Sequence, residues 1–215
     1  MAPLFVTFEG LDGSGKSTHL ERAAAWLRGR GQHCAVTREP GGTRLGVALR
    51  EMFLSGEWGP LDGGVEALLV FAGRRQHLHE VIEPALAGGQ HVLCDRFTDS
   101  TRAYQGYGRG FDLAAIEELD RLATGGRVPE ATLLFDLEPE LARERSHIGS
   151  RERRPDGGNR LDAEDLEFYR RVRSGFLELA AREPTRFHVI DSSGEVEETA
   201  ARVRAVMERL FGGDV

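Results

Sequence analysis

The sequence predicts an α/β fold with a five-stranded parallel sheet covered by helices on both faces. Two observations carry that prediction. Five short apolar, β-prone runs alternate along the chain with longer stretches of helical period. A glycine-rich turn follows the first run at once, as expected where a strand hands over to a helix.

Taken in order, residues 4–8 (Leu-Phe-Val-Thr-Phe) form the first expected strand, and 33–37, 91–94, 132–137 and 186–190 the other four. Helical spacing covers 17–30, 65–86, 113–122 and 163–182. It also covers 196–211, where Val196, Ala200, Val203, Val206, Met207 and Leu210 share one side. Strands separated by helices pair in parallel through right-handed crossovers. Residues 1–215 are therefore expected to form one domain, with no internal repeat or linker. In such sheets ligands bind beyond the carboxyl ends of the strands, so the residues just after each strand carry the functional reading. The stretch 146–160 stands apart. It contains Arg151, Arg153, Arg154 and the turn Pro155-Asp156-Gly157-Gly158, and is too polar to pack.

The chain has 215 residues, 40% hydrophobic and 29% charged, with a formal net charge of -7. That balance disfavours a sequence-independent nucleic-acid binder, which needs a basic face to neutralise phosphates. Cys34 and Cys94 sit in expected strands and read as buried thiols, and the seven histidines show no zinc-ligand spacing. No run is long and apolar enough to span a membrane, and residues 1–9 lead into a motif in the manner of a strand, unlike a signal peptide. A cytoplasmic protein without membrane or nucleic-acid partners is expected.

Gly10-Leu11-Asp12-Gly13-Ser14-Gly15-Lys16-Ser17 fits G-x-x-x-x-G-K-[ST] between a strand and a helix, and Thr18 follows it. The glycines let backbone N–H groups converge on a phosphate at the positive end of the helix. Lys16 is expected on the β- and γ-phosphates of ATP and the Ser17 hydroxyl on Mg²⁺. A guanine-reading Asn-Lys-x-Asp is missing after 132–137, where Glu138-Pro139-Glu140-Leu141 stands, so a GTPase is disfavoured. After the second strand comes Arg38-Glu39-Pro40-Gly41-Gly42-Thr43, either a loop aiming Arg38 at the site or a solvated turn. After the third come Asp95 and Arg96, suited to a Mg²⁺ partner and a phosphate clamp, or else to a strand-end salt bridge.

These segments, with Asp95-Arg96-Phe97-x-x-Ser100-x-x-Ala103-Tyr104-Gln105-Gly106, together resemble bacterial thymidylate kinases. The resemblance extends to 81–86 and 168–180 and so spans nearly the whole chain. It implies a P-loop kinase fold with a mobile lid, a homodimer, and transfer of the γ-phosphoryl group of ATP to dTMP. Carried over residue by residue, it implies that Asp12 meets the deoxyribose 3′-hydroxyl and acts near the magnesium. Arg38 and Arg96 hold the acceptor phosphate, and Arg74 bonds the thymine edge. Ser100, Thr101, Tyr104 and Gln105 belong to the acceptor pocket, with Tyr104 opposing a ribose 2′-hydroxyl, and Arg145 lies against adenine.

Two positions depart from the family pattern. Many relatives have a phenylalanine four residues before the arginine matched to Arg74, where this chain has Val70 and then Phe71. Phe71 either stacks on the thymine or belongs to the core. Some relatives carry an arginine at the position of Gly13; this chain instead has arginines in the expected lid. At least one of Arg151, Arg153 and Arg154 is then expected to act in the transition state with Lys16 and Arg96. Arg160, where the lid rejoins a helix, is expected to pair with nearby carboxylates such as Asp162 or Glu164. Two rivals remain: a kinase for another monophosphate, and a P-loop switch that binds ATP and signals to a partner.

Overall fold

The computed structural model describes residues 2–153 and 160–212, with the side chains of 147–153 and of Asp162 outside that description. Strands β1 (Phe5–Gly10), β2 (Cys34–Arg38), β3 (His91–Asp95), β4 (Ala131–Asp136) and β5 (Phe187–Asp191) form one sheet in the order β2-β3-β1-β4-β5. Every pairing is parallel. All six residues of β1 are buried, as its central place requires. The register sets Arg38 beside Asp95, and Asp95 beside Phe8, so the carboxyl ends of β2, β3 and β1 finish on one edge.

Alternate residues of each strand feed opposite faces. Val6, Phe8, Leu93, Leu133 and Phe135 pack with Leu20, Ala24 and Leu27 of α1 (Lys16–Gly29) and with Val203, Met207 and Phe211 of α9 (Val196–Phe211). Burying such a side chain contributes roughly 1.5–3 kcal/mol. On the other face Leu134 packs with Phe168, Val172 and Phe176 of α8 (Leu166–Arg182), while Phe5, Val92 and Cys94 pack with Leu78 and Ile82. Cys34 and Cys94 are free thiols.

The helix expected over 65–86 is divided. It runs as α3 (Gly63–His77), widens to π geometry over Leu78–Ile82, and resumes as α4 (Glu83–Ala87). Pro84 lacks the N–H that would continue the ladder, and the wide turn precedes it. Asp62 caps α3 through the Gly64 N–H. Helices α2 (Arg44–Leu54) and α7 (Pro139–Arg153), besides the short α5 (Thr98–Thr101), lie outside the sequence expectation. Thr43 caps α2, accepting from the Gly46 N–H at 2.9 Å. After β3 the chain makes α5, a π segment (Arg102–Gly108) and α6 (Leu113–Thr124). Because of α7, the first half of the expected 146–160 lid continues a helix. A 3-10 turn at Arg160–Ala163 leads into α8.

Candidate active site at the carboxyl edge of the sheet

A cavity of about 570 Å³ opens where β1, β2 and β3 end. One wall is the loop from β1 to α1. Gly15 caps α1 at φ 85, a left-handed conformation that glycine adopts without strain. Lys16, Ser17 and Thr18 then open the helix at its positive end and line the cavity. Gly10, Leu11 and Ser14 stand behind this wall; Leu11 is buried in the core, and the Ser14 N–H donates to its carbonyl at 3.2 Å. At Gly13 a Cβ would meet the Ala142 carbonyl of α7 at 2.2 Å. The missing arginine at this position thus has a steric reason: the helix occupies the space a side chain would need.

Lys16 is buried, and its Nζ donates to the Leu11 carbonyl at 2.7 Å. Burial and the positive charge of Arg96 lower its pKa from 10.5 to about 8, against the pull of Asp12, Asp95 and Glu9. Ser17 Oγ donates to Asp95 Oδ2 at 2.6 Å. These two oxygens, from α1 and the tip of β3, suit a small hard cation that takes its remaining ligands from phosphate and water. No group of three or more His, Cys, Asp or Glu that could hold a metal exists among the described residues.

The opposite wall carries guanidinium groups. Arg96 has φ 73, the only described non-glycine residue with positive φ, which turns it back over the site just after β3. Its Nη2 donates to Asp12 Oδ1 at 2.8 Å and to the Tyr104 hydroxyl at 3.2 Å, and its Nη1 to Ser100 Oγ at 2.9 Å. Desolvation of Asp12 is outweighed by Arg96 and Lys16, which hold its carboxyl below the usual range. Beneath them Glu9, fully buried, accepts from the Phe97 N–H at 2.7 Å and from Ser100 Oγ. Burial and the charge of Asp99 raise Glu9 to about 7 despite Arg96. Arg38 lies exposed at the end of β2.

Arg74 of α3 is 1% exposed, yet it lines the cavity. Nε donates to Glu39 Oε2 at 2.6 Å and Nη2 to Thr101 Oγ1 at 3.1 Å, while Nη1 is buried without a partner. Glu39 also faces His77 Nδ1 at 2.9 Å, and His77 Nε2 meets Thr37 Oγ1 at 2.6 Å. The guanidinium is held between the rings of Phe71 and Phe97, 4.7 and 4.9 Å from their centroids. Of the two readings of Phe71, this geometry favours the core. Its ring is buried beside Ala67, Ile116 and Ala123, and Val70 takes the cavity wall.

Thr101, Tyr104 and Gln105 line the same cavity from α5 and the following π segment. Tyr104 is packed edge-on against Phe168 and Phe176, and burial raises its phenol despite Arg96. Arg145 of α7 also lines the cavity, docked on the carbonyls of Ser192 and Ser193 at 2.8 and 3.0 Å. Arg154 and the side chains of Arg151 and Arg153 lie outside the described residues. Arg160 pairs with the carboxylate of Glu66 at 2.7 Å, while Glu164 is taken by Arg109 at 2.6 Å and the side chain of Asp162 lies outside the described residues.

Sequence reasoning missed Glu39, Arg50, Phe53 and Leu161 on the cavity wall, and Glu66 behind it. Arg50 Nη1 donates to the Pro40 carbonyl at 3.2 Å. A signal existed for α2: Thr43 as cap, with Leu45, Leu49 and Phe53 four apart.

One cavity thus has a glycine-rich loop at a helix N-terminus on one wall and strand-tip guanidiniums on the other. The family model described as thymidylate kinase matches residues 8–203. The chain belongs to the thymidylate kinase family. It is 50% identical over 205 residues to a thymidylate kinase of Synechococcus sp. strain JA-3-3Ab, covering 95% of each chain. It is 45% identical over 208 residues to one from Desulfosudis oleivorans, covering 96% of this chain and 97% of that one. The crystal structure of the Ehrlichia chaffeensis thymidylate kinase superposes with a TM-score of 0.77 at 34% identity, over 97% of this chain and 99% of that one. The five-stranded parallel sheet that the strand–helix alternation predicts is present, in a fold shared with that thymidylate kinase.

Proposed function

We propose that this chain transfers the γ-phosphoryl group of ATP to dTMP, giving dTDP and ADP for dTTP synthesis. The observation that carries the reading is a single cavity whose P-loop wall faces Arg96, Arg38 and Arg74. The loop amides and Lys16 take the donor phosphates, and Arg145 supports the adenine. Arg38 and Arg96 receive the acceptor phosphate, with Arg50 beside them. Asp12, already oriented by Arg96, accepts from the 3′-hydroxyl. Tyr104 closes the sugar pocket to a 2′-hydroxyl, and the unpartnered Nη1 of Arg74 points the base-reading donor at a carbonyl of thymine.

Phosphoryl transfer asks the protein mainly to align two anions and stabilise charge as it redistributes. The acceptor oxygen belongs to a phosphate, so no general base is needed. Ser17 and Asp95 fit Mg²⁺, which when bound with ATP neutralises charge on the β- and γ-phosphates. Lys16, Arg96 and a cation from Arg151, Arg153 or Arg154 provide the rest; replacing all three lid arginines with alanine is expected to lower turnover by about 10³ or more. Wild-type turnover in that triple variant contradicts their role.

A homodimer is part of the same reading. Leu45, Val65, Leu68 and Leu122 are 44–76% exposed on α2, α3 and α6, and α2 and α6 both pack on α3. Leu68→Glu with Leu122→Glu is expected to sediment as a monomer where wild type sediments as a dimer; a dimeric double variant contradicts this. No described helix is long and apolar enough to cross a membrane, and we place the enzyme in the cytoplasm. ADP release measured across dTMP, dUMP, dCMP, AMP and GMP tests the reading. Turnover highest with dTMP, and slow ATP hydrolysis without acceptor, support it; acceptor-independent hydrolysis favours a switch.

A further inference from the structure

Glu66 of α3 is fully buried behind the cavity wall and belongs to none of the groups assigned above. A glutamate in such a place is costly unless its charge and lone pairs are met. Arg160 Nη1 lies 2.7 Å and Arg109 Nη2 3.2 Å from its Oε1, and Gln105 Nε2 donates to its Oε2 at 2.8 Å. Arg109 is shared with Glu164 at 2.6 Å, so two carboxylates and two guanidiniums balance. Arg160 is fixed further by the Phe53 carbonyl at 3.2 Å.

We infer that Glu66 is a positioning residue for base selection: it fixes which end of the Gln105 amide faces the acceptor base. A carboxylate only accepts hydrogen bonds, so the amide atom turned toward Glu66 is the NH₂. The carbonyl oxygen of Gln105 is then the end left for a ligand in the cavity that this residue lines. Arg74 lines the same cavity and keeps one buried donor nitrogen, Nη1, without a partner. A donor next to an acceptor complements the O4 and N3–H of thymine. The same pair opposes cytosine, which carries an amino group at C4 and a bare N3. The inference rests on the dTMP reading and adds what excludes the cytosine nucleotide. Arg109 and Arg160 keep the carboxylate in place, and Arg160 ties this selection to the end of the 146–160 segment.

The test is Glu66→Gln, which keeps shape but offers Gln105 either a donor or an acceptor, so its amide is free to turn over. The readout is kcat/KM for dTMP divided by that for dCMP. The ratio is expected to fall about tenfold or more, mainly through KM for dTMP, with KM for ATP within about twofold. Gln105→Met, which keeps the Glu66 pairs with Arg109 and Arg160 but removes the amide that Glu66 orients, is expected to lower the same ratio and covers the case in which Glu66→Gln fails to fold. A purely structural role lowers both pyrimidine activities together, and an unchanged ratio in whichever variant folds overturns the inference. Wild-type enzyme without dTMP turnover instead overturns the reading on which it rests.

Discussion

Arg96 Nη2 reaches Asp12 Oδ1 across 2.8 Å and so ties the tip of β3 to the P-loop. The contact depends on the left-handed backbone at Arg96, φ 73, which costs about 1–3 kcal/mol in a residue with a Cβ. Strain held at this position links the P-loop wall of the cavity to the guanidinium wall.

Replacing Arg96 separates strain from function. Arg96→Gly is expected to stay within about 2 kcal/mol of wild-type stability, because relief of strain offsets the lost ion pair. Its kcat/KM for dTMP is expected to fall by about 10³. Urea unfolding and steady-state kinetics check the two halves; an active glycine variant contradicts the assignment.

Glu39 holds Arg74 through Nε, leaving Nη1 as the one guanidinium nitrogen that is buried without a partner. Glu39→Ala leaves a buried guanidinium unpaired and is expected to cost about 3–5 kcal/mol. Glu39→Gln keeps the shape but loosens the aim, so KM for dTMP is expected to rise about tenfold with KM for ATP little changed. Equal changes in both constants would argue against an acceptor-side role.

Glu9 makes stability depend on pH in an unusual direction for a carboxyl. Its folded pKa is raised from 4.5 to about 7, first by burial and then by Asp99. The folded state therefore holds a proton that the unfolded state releases, and stability falls as pH climbs from about 4.5 to about 7. Glu9→Gln lacks this loss. Its stability relative to wild type is expected to rise across that window by up to roughly 3 kcal/mol and then level off. Chemical unfolding at pH 5, 6 and 8 measures it, and a pH-independent difference rules the mechanism out.

Lys16 sets the alkaline limit. With its pKa lowered to about 8 by burial and Arg96, the free enzyme loses the ammonium charge above that pH. The profile of kcat/KM for ATP is expected to decline above about pH 8. The profile of kcat is expected to decline only at higher pH, because bound phosphate favours the charged lysine. Coincident limbs in both profiles contradict this.

The sequence announces whatever is local. All five strands lie within two residues of their expected ends, and the P-loop sits between strand and helix as its spacing requires. Helix α2 carries a local signal in Thr43, Leu45, Leu49 and Phe53 but shares the β2–β3 crossover with the longer α3, whereas α7 is hidden by its composition. Residues 139–153 are rich in Arg and Glu, so the helix reads as a polar loop. The long-range pairings are invisible for another reason. Glu66 and Gln105 are 39 residues apart, and no periodicity reports that a buried carboxylate turns an amide. Val70 and Phe71 show the same limit, since the sequence marks the helix but not which of two neighbours faces the cavity.

The most direct measurement is a crystal structure of the enzyme with a non-hydrolysable ATP analogue and dTMP. The account predicts donor phosphates in the β1–α1 loop against Lys16, and the acceptor phosphate within hydrogen-bond distance of Arg38 and Arg96. A structure with dTMP bound elsewhere, or with its phosphate turned away from both arginines, contradicts it.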